Sequence, residues 1–238
     1  MAEQIYTIPI NEAFAQKDGC PLCRLKKKLE SDSLEYIMGA AMMEPDVRQV
    51  TNRTGFCRVH YDDMLAMKNR LSVALTMESR LTQIASLLGE EATDAKGRRS
   101  RIKKYAGADP SEEIASTAHT CFVCSRVAGF EEKYIDNTIH LWKKDPEFRT
   151  LFEQQPCFCL DHYAALTQMA KKSLSEDLFL TFHSSITAVL RRYLAQLRED
   201  VTGFTRCFDY RSGNTPMTEA QKTAVERGAA FLSGQTRT

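Results

Sequence analysis

A chain of 238 residues, 43% of them hydrophobic, can bury a sizeable core as one large domain or as two lobes. Its 32 basic residues nearly cancel its 31 acidic ones, so no global field draws it to nucleic acid or to an anionic membrane. The start, MAEQIYTIPINEAF, has no basic stretch followed by an apolar run, and no segment reaches the roughly eighteen uncharged apolar residues of a membrane span, so a cytoplasmic protein without a membrane segment is expected.

Taken along the chain, the first signal is CPLC at 20–23. Leu22, Leu25 and Leu29, followed by Leu34, Ile37, Met38 and Ala41, form an apolar stripe at helical spacing, and Pro45 suits the first turn of a short second helix. FCRVHY at 56–61 then opens one long predicted helix from about 57 to 90, carrying Met64, Leu65, Leu71, Leu75, Leu81, Ile84 and Leu88. A polar stretch poor in large aliphatics follows and reads as a linker. Its basic run, Arg98, Arg99, Arg101, Lys103 and Lys104, is the one segment suited to phosphate contacts.

The plan then repeats. Sliding the chain by 101 residues places Cys20, Cys23, Glu30 and Pro45 on Cys121, Cys124, Glu131 and Pro146; after one inserted residue FCRVHY falls on FCLDHY at 158–163. Helices are predicted over about 122–143, 146–154 and 160–198, with a final amphipathic one from Thr218 to Leu232. The expected class is all-α: two quasi-repeated lobes at 1–92 and 113–200, a linker at 93–112 and an extension at 201–238, with no alternating β pattern of useful length.

Each repeat supplies C-x2-C and, some 33 or 34 residues later, F-C-x2-H-Y. In a reducing compartment paired cysteines point to metal or redox chemistry, and three thiolates with one imidazole suit closed tetrahedral zinc. Two Cys3His sites follow by taking each repeat as a unit: Cys20, Cys23, Cys57 and His60 in the first, Cys121, Cys124, Cys159 and His162 in the second. Two zinc ions are expected, with an iron–sulfur cluster as the alternative. Such a site would clip one helix start to another across a loop of about forty residues, worth about 4 kcal/mol in chain entropy.

Cys157 stands where the first repeat has Gly55; it is either a substitute ligand or a thiol beside the site, and the aligned position favours Cys159. Cys207 reads as a packing residue, although a redox pair with Cys157 is a second reading. His119, whose repeat counterpart is Asp18, reads as a surface or capping residue, and His140 and His183 lie within predicted helices without acidic or cysteine partners at ligand spacing. Phe56 and Phe158 read as anchors under the sites, and Tyr61 and Tyr163 as packing residues between lobes. There is no glycine-rich phosphate loop, HExxH or GxSxG, so no catalytic residue is assigned.

The CPLC and FCRVHY motifs, repeated as CFVC and FCLDHY, resemble an uncharacterised bacterial family of cysteine-containing helical proteins, a domain of unknown function, over roughly residues 5 to 200. That resemblance implies a soluble intracellular bacterial protein and lends no activity. A zinc-stabilised, non-enzymatic scaffold that engages a protein partner is the first functional expectation; a thiol-based redox sensor and a nucleic-acid-binding regulator are the alternatives.

Overall fold

The computed structural model describes residues 2–88, 111–112, 114–115, 120–209 and 216–234. Among these residues the chain is all-α, with eleven α-helices and no strand. In chain order they are α1 (Ala2–Ala15), α2 (Pro21–Met38), α3 (Pro45–Thr54), α4 (Arg58–Ala66), α5 (Arg70–Leu87), α6 (Phe122–Lys144), α7 (Pro146–Glu153), α8 (Leu160–Ser173), α9 (Glu176–Arg206), α10 (Glu219–Lys222) and α11 (Ala224–Ser233), with a 3-10 turn at Ala40–Met43. No helix among the described residues is long and apolar enough to cross a membrane.

Two predicted long helices are each broken in two, for local reasons. Between α4 and α5, Lys68 adopts a left-handed φ of 63°, and the Asn69 side chain accepts from Ser72 N to start a new helix. Between α8 and α9, Leu174 is extended, and Ser175 leads into a first turn carrying Glu176 and Asp177, which the positive end of a helix favours. An apolar stripe continues across both breaks, so periodicity alone does not register them. The first helix, α1, was not anticipated; it holds Pro9 within it and buries Ile10, Ala13 and Phe14.

The chain forms two compact units, and they do not coincide with the sequence repeats. One comprises residues 1–27 together with 131–238; the other is the continuous segment 28–130. The boundaries fall inside α2 and α6.

The discontinuous unit is built on aromatic packing. Phe14 of α1 lies 4.9 Å from Phe148 and 6.2 Å from Phe158 between ring centroids, Phe152 stands 4.8 Å from Phe158, and Trp142 meets Phe182 edge-on at 5.0 Å. Buried Gln155 Nε2 donates to the Phe14 carbonyl at 2.7 Å, so the amino-terminal segment is held by a hydrogen bond as well as by burial. Further along, α9 packs on α11 through Leu190, Leu197 and Phe231. Arg227 Nη2 reaches Asp200 at 2.8 Å beside this cluster.

The continuous unit packs α3 and α4 on α5, and its core joins Leu34, Ile37 and Met38 of α2 with Phe56, Met64, Val73, Val123 and Val127. Buried Ser72 Oγ donates to the Met38 carbonyl at 3.1 Å, tying the start of α5 to the end of α2.

Candidate metal centres

Four helix starts carry the same construction. Cys20, Cys57, Cys121 and Cys159 each occupy the residue just before a helix, and Cys23, His60, Cys124 and His162 lie three residues on, in its first turn. Cys57 and Cys159 have nearly the same extended backbone, φ −74° and ψ 166° against φ −67° and ψ 164°. That extended residue followed by a helical turn aims both side chains toward the helix start. Unpaired N–H groups and the positive end of the dipole are there to favour thiolate.

The helix starts meet in pairs. In site one, Cys20, Cys23, Cys159 and His162 gather within 4.8 Å of one another, all in the discontinuous unit. His162 Nδ1 lies 3.6 Å from Cys20 Sγ, 3.3 Å from Cys23 Sγ and 3.0 Å from Cys159 Sγ, and the Cys23 and Cys159 sulfurs are 3.4 Å apart. Cys20 is 6% exposed, Cys159 5% and His162 3%. The other imidazole nitrogen, Nε2, faces Glu131 Oε1 at 2.8 Å, and Lys26 Nζ stands 3.6 Å from Glu131 Oε2. Nδ1 is thereby left to the sulfurs.

Site two is Cys57, His60, Cys121 and Cys124, all in the continuous unit. His60 Nδ1 lies 3.1 Å from Cys57 Sγ, 3.3 Å from Cys121 Sγ and 3.5 Å from Cys124 Sγ, with Cys57 and Cys124 sulfurs 3.9 Å apart. Gly55 sets this approach. Its φ of 61° ends α3 and turns the chain, and its carbonyl accepts from Phe122 N at 2.9 Å, bringing the start of α6 beside FCRVHY. Thr120 Oγ1 adds a bond to the Thr54 carbonyl at 2.7 Å. Phe56, 6.3 Å from Phe122, packs beneath the junction.

The pairing corrects the sequence expectation. The eight residues do form two groups of three cysteines and one histidine, but each group takes its C-x2-C from one repeat and its C-x2-H from the other. Cys20 and Cys23 do not join Cys57 and His60, nor do Cys121 and Cys124 join Cys159 and His162. The cause is the helix inside each repeat. α2 runs on for fifteen residues beyond CPLC (24–38), about 22 Å of rigid rod, and Phe56 and Cys57 share a core with Leu34, Ile37 and Met38 of its last turns. α6 is longer still, at 23 residues. A chain so stiff between its two half-sites brings each half-site to the other repeat.

The electrostatics follow from crowding thiols around an imidazole. In site two the Cys121 hydrogen bond lifts His60 to about 9; burial would raise Cys121, yet His60 and backbone donors bring it down to about 6, while burial and the Cys121 charge push Cys124 up to about 12. In site one burial alone would lower His162, but Cys159, Cys23 and Glu131 carry it to about 11. Hydrogen bonds from Cys20 and Cys23 hold Cys159 far below the ordinary thiol range, and burial drives Cys20 well above it. Each cluster holds thiolate and imidazolium character that a divalent cation satisfies on displacing the protons, and either quartet can hold a metal ion.

The whole chain, residues 1–238, matches the model of a family of unknown function, DUF6062. The chain belongs to that family. No curated protein and no solved structure matches it.

Other thiols and histidines of this DUF6062 chain stand outside the quartets. All eight cysteines are free of disulfide bonds. Cys157 is half-buried beside site one, where burial and the Cys23 and Cys159 charges raise it to about 11. Its charge also bears on Tyr193, whereas Cys207 caps the same helix fourteen residues beyond that tyrosine, about 21 Å along the axis. His183 meets the Tyr163 hydroxyl at 3.4 Å, and Tyr61 and Tyr163 each pack into the core of their own unit. His119 and the basic run Arg98 to Lys104 lie outside the described residues.

Glu131 and Lys26 are the neighbours of the candidate centre that motif reading missed. A signal existed: Glu131 is the repeat counterpart of Glu30, one of few acidic positions kept between the halves.

Proposed function

We propose that this protein is a zinc-binding helical scaffold, non-enzymatic, whose two Cys3His quartets each close on one zinc ion and whose helices offer a surface to a protein partner. The observation that carries the reading is the spacing of the donors. Zinc with Zn–S of about 2.3 Å and Zn–N of about 2.0–2.1 Å in a tetrahedron sets ligand edges of about 3.8 Å between sulfurs and about 3.6 Å between sulfur and nitrogen. Sulfur–sulfur separations of 3.4 and 3.9 Å and sulfur–nitrogen separations of 3.0 to 3.6 Å lie close to those edges.

A single ion fits such edges better than an iron–sulfur cluster, whose several irons spread the cysteine sulfurs apart. Four protein donors leave no coordination position for water or substrate, which supports a structural role. Exposed Leu71 and Leu81 on α5 give apolar contact area for a partner. Metal analysis of protein purified without added zinc, together with its absorption spectrum, tests the reading. Two equivalents of zinc in colourless protein are expected; brown protein carrying iron would reverse the assignment.

A further inference from the structure

The two quartets share a ligand set and differ in their surroundings. We propose that site two is a peroxide-responsive zinc site, releasing its ion on oxidation of Cys124 and Cys57 to a disulfide while site one keeps its own. This rests on the reading of both quartets as zinc sites.

Three observations separate the sites. In site one, Cys20, Cys159 and His162 are buried and Cys23 half-buried; in site two Cys124 is exposed and Cys57 half-buried, so an oxidant in water reaches sulfur directly. Site one has a second layer, Glu131 on His162 Nε2 with Lys26 behind it. Glu30, the repeat counterpart of Glu131, forms no hydrogen bond with His60 among the described residues, so this support of the imidazole is missing. Finally, half-buried Cys57 has the exposed Cys124 sulfur as a neighbour at 3.9 Å, whereas the half-buried cysteine of site one, Cys23, has as its 3.4 Å neighbour Cys159, which is 5% exposed.

The chemistry balances with hydrogen peroxide as the two-electron oxidant. Cys124 Sγ attacks one peroxide oxygen, the O–O bond breaks, and the departing hydroxide takes a proton from solvent, leaving a sulfenic acid. Cys57 thiolate then attacks that sulfur; an S–S bond forms, the S–O bond breaks, and the second hydroxide is protonated to water. Two thiolates have lost two electrons and peroxide has become two waters. Zinc, left with one thiolate and one imidazole, dissociates. A dithiol reductant returns both thiolates, and the site can refill.

The experiment uses the full chain, its zinc content measured before peroxide is added. Zinc release is followed with a colorimetric chelator, and the cysteines are mapped by differential alkylation and mass spectrometry. The first equivalent is expected to leave about tenfold faster than the second, matching the cost of a missing outer-layer partner. It should leave together with a Cys57–Cys124 disulfide, while Cys20, Cys23 and Cys159 stay reduced, and dithiol with zinc should restore it. Simultaneous loss of both equivalents, earlier oxidation of site-one thiols or of Cys157, or a Cys121–Cys124 disulfide would overturn the proposal. Fewer than two equivalents before peroxide would instead sink the two-site reading itself. Cys124→Ser should abolish the fast phase; if that variant fails to fold, the alkylation map of the unmodified chain decides alone.

Discussion

His162 and Glu131 are joined at 2.8 Å through Nε2, which commits the imidazole's Nδ1 to the three sulfurs of site one. The carboxylate fixes the ring's orientation and raises its donor strength, while burial would raise Glu131 and the His162 and Lys26 contacts bring it below the ordinary carboxylate range. Glu131→Ala should therefore weaken zinc at site one by about 10–100-fold, with site two unchanged. Competition against a chelator of known affinity reads both constants; equal weakening at the two sites would contradict a local role.

Pairing across repeats predicts which double variants cost one ion and which cost two. Cys20→Ser with Cys159→Ser removes donors from the same quartet, so one equivalent should be lost. Cys20→Ser with Cys57→Ser, which would share a site if each repeat closed on itself, should lose both. Zinc content of the two proteins, purified side by side, distinguishes the arrangements.

Zinc affinity should rise with pH across the neutral range. In metal-free folded protein His60 is raised to about 9, so the stability that its protonated form contributes is fully present below the ordinary value of 6.5 and lost as pH rises through about 9. A zinc ion at Nδ1 must displace that proton, so binding has the opposite sign and tightens as the proton becomes easier to remove. Calorimetric titrations in buffers of different ionisation enthalpy should register proton release at pH 7; affinity unchanged between pH 6 and pH 8 would count against ligation by His60.

Asp200, 6% exposed, is held below the ordinary carboxylate range chiefly by Arg227, with Gln196 also donating to it. Arg227→Ala strands a buried carboxylate beside Leu197 and Phe231, and a cost of about 1–3 kcal/mol is expected. Urea unfolding should show the lower midpoint, with zinc content unaltered because neither quartet includes α11.

Helical periodicity made the all-α class legible, and the spacing of CPLC, FCRVHY, CFVC and FCLDHY made all eight members of the two quartets legible. The partnership between motifs was not. Sequence order favours joining neighbours, and only the length of α2 and α6, as rods that cannot fold back on themselves, sends each half-site elsewhere. The breaks at Lys68 and Leu174 were hidden for a related reason: a left-handed or extended residue interrupts the backbone without disturbing the apolar stripe. Glu131 escaped because a lone acidic residue on a helix carries no motif; its meaning depends on the imidazole brought to it.

Site two is complete by Cys124, but site one needs Cys159 and His162, so the half-sites close like nested brackets. During translation the inner quartet exists in full while Cys20 and Cys23 still await donors that the ribosome has not yet made. The order in which the quartets acquire their donors is thus written into the chain: the inner one has all four first, and the outer one joins Cys20 and Cys23 to residues made more than a hundred positions later.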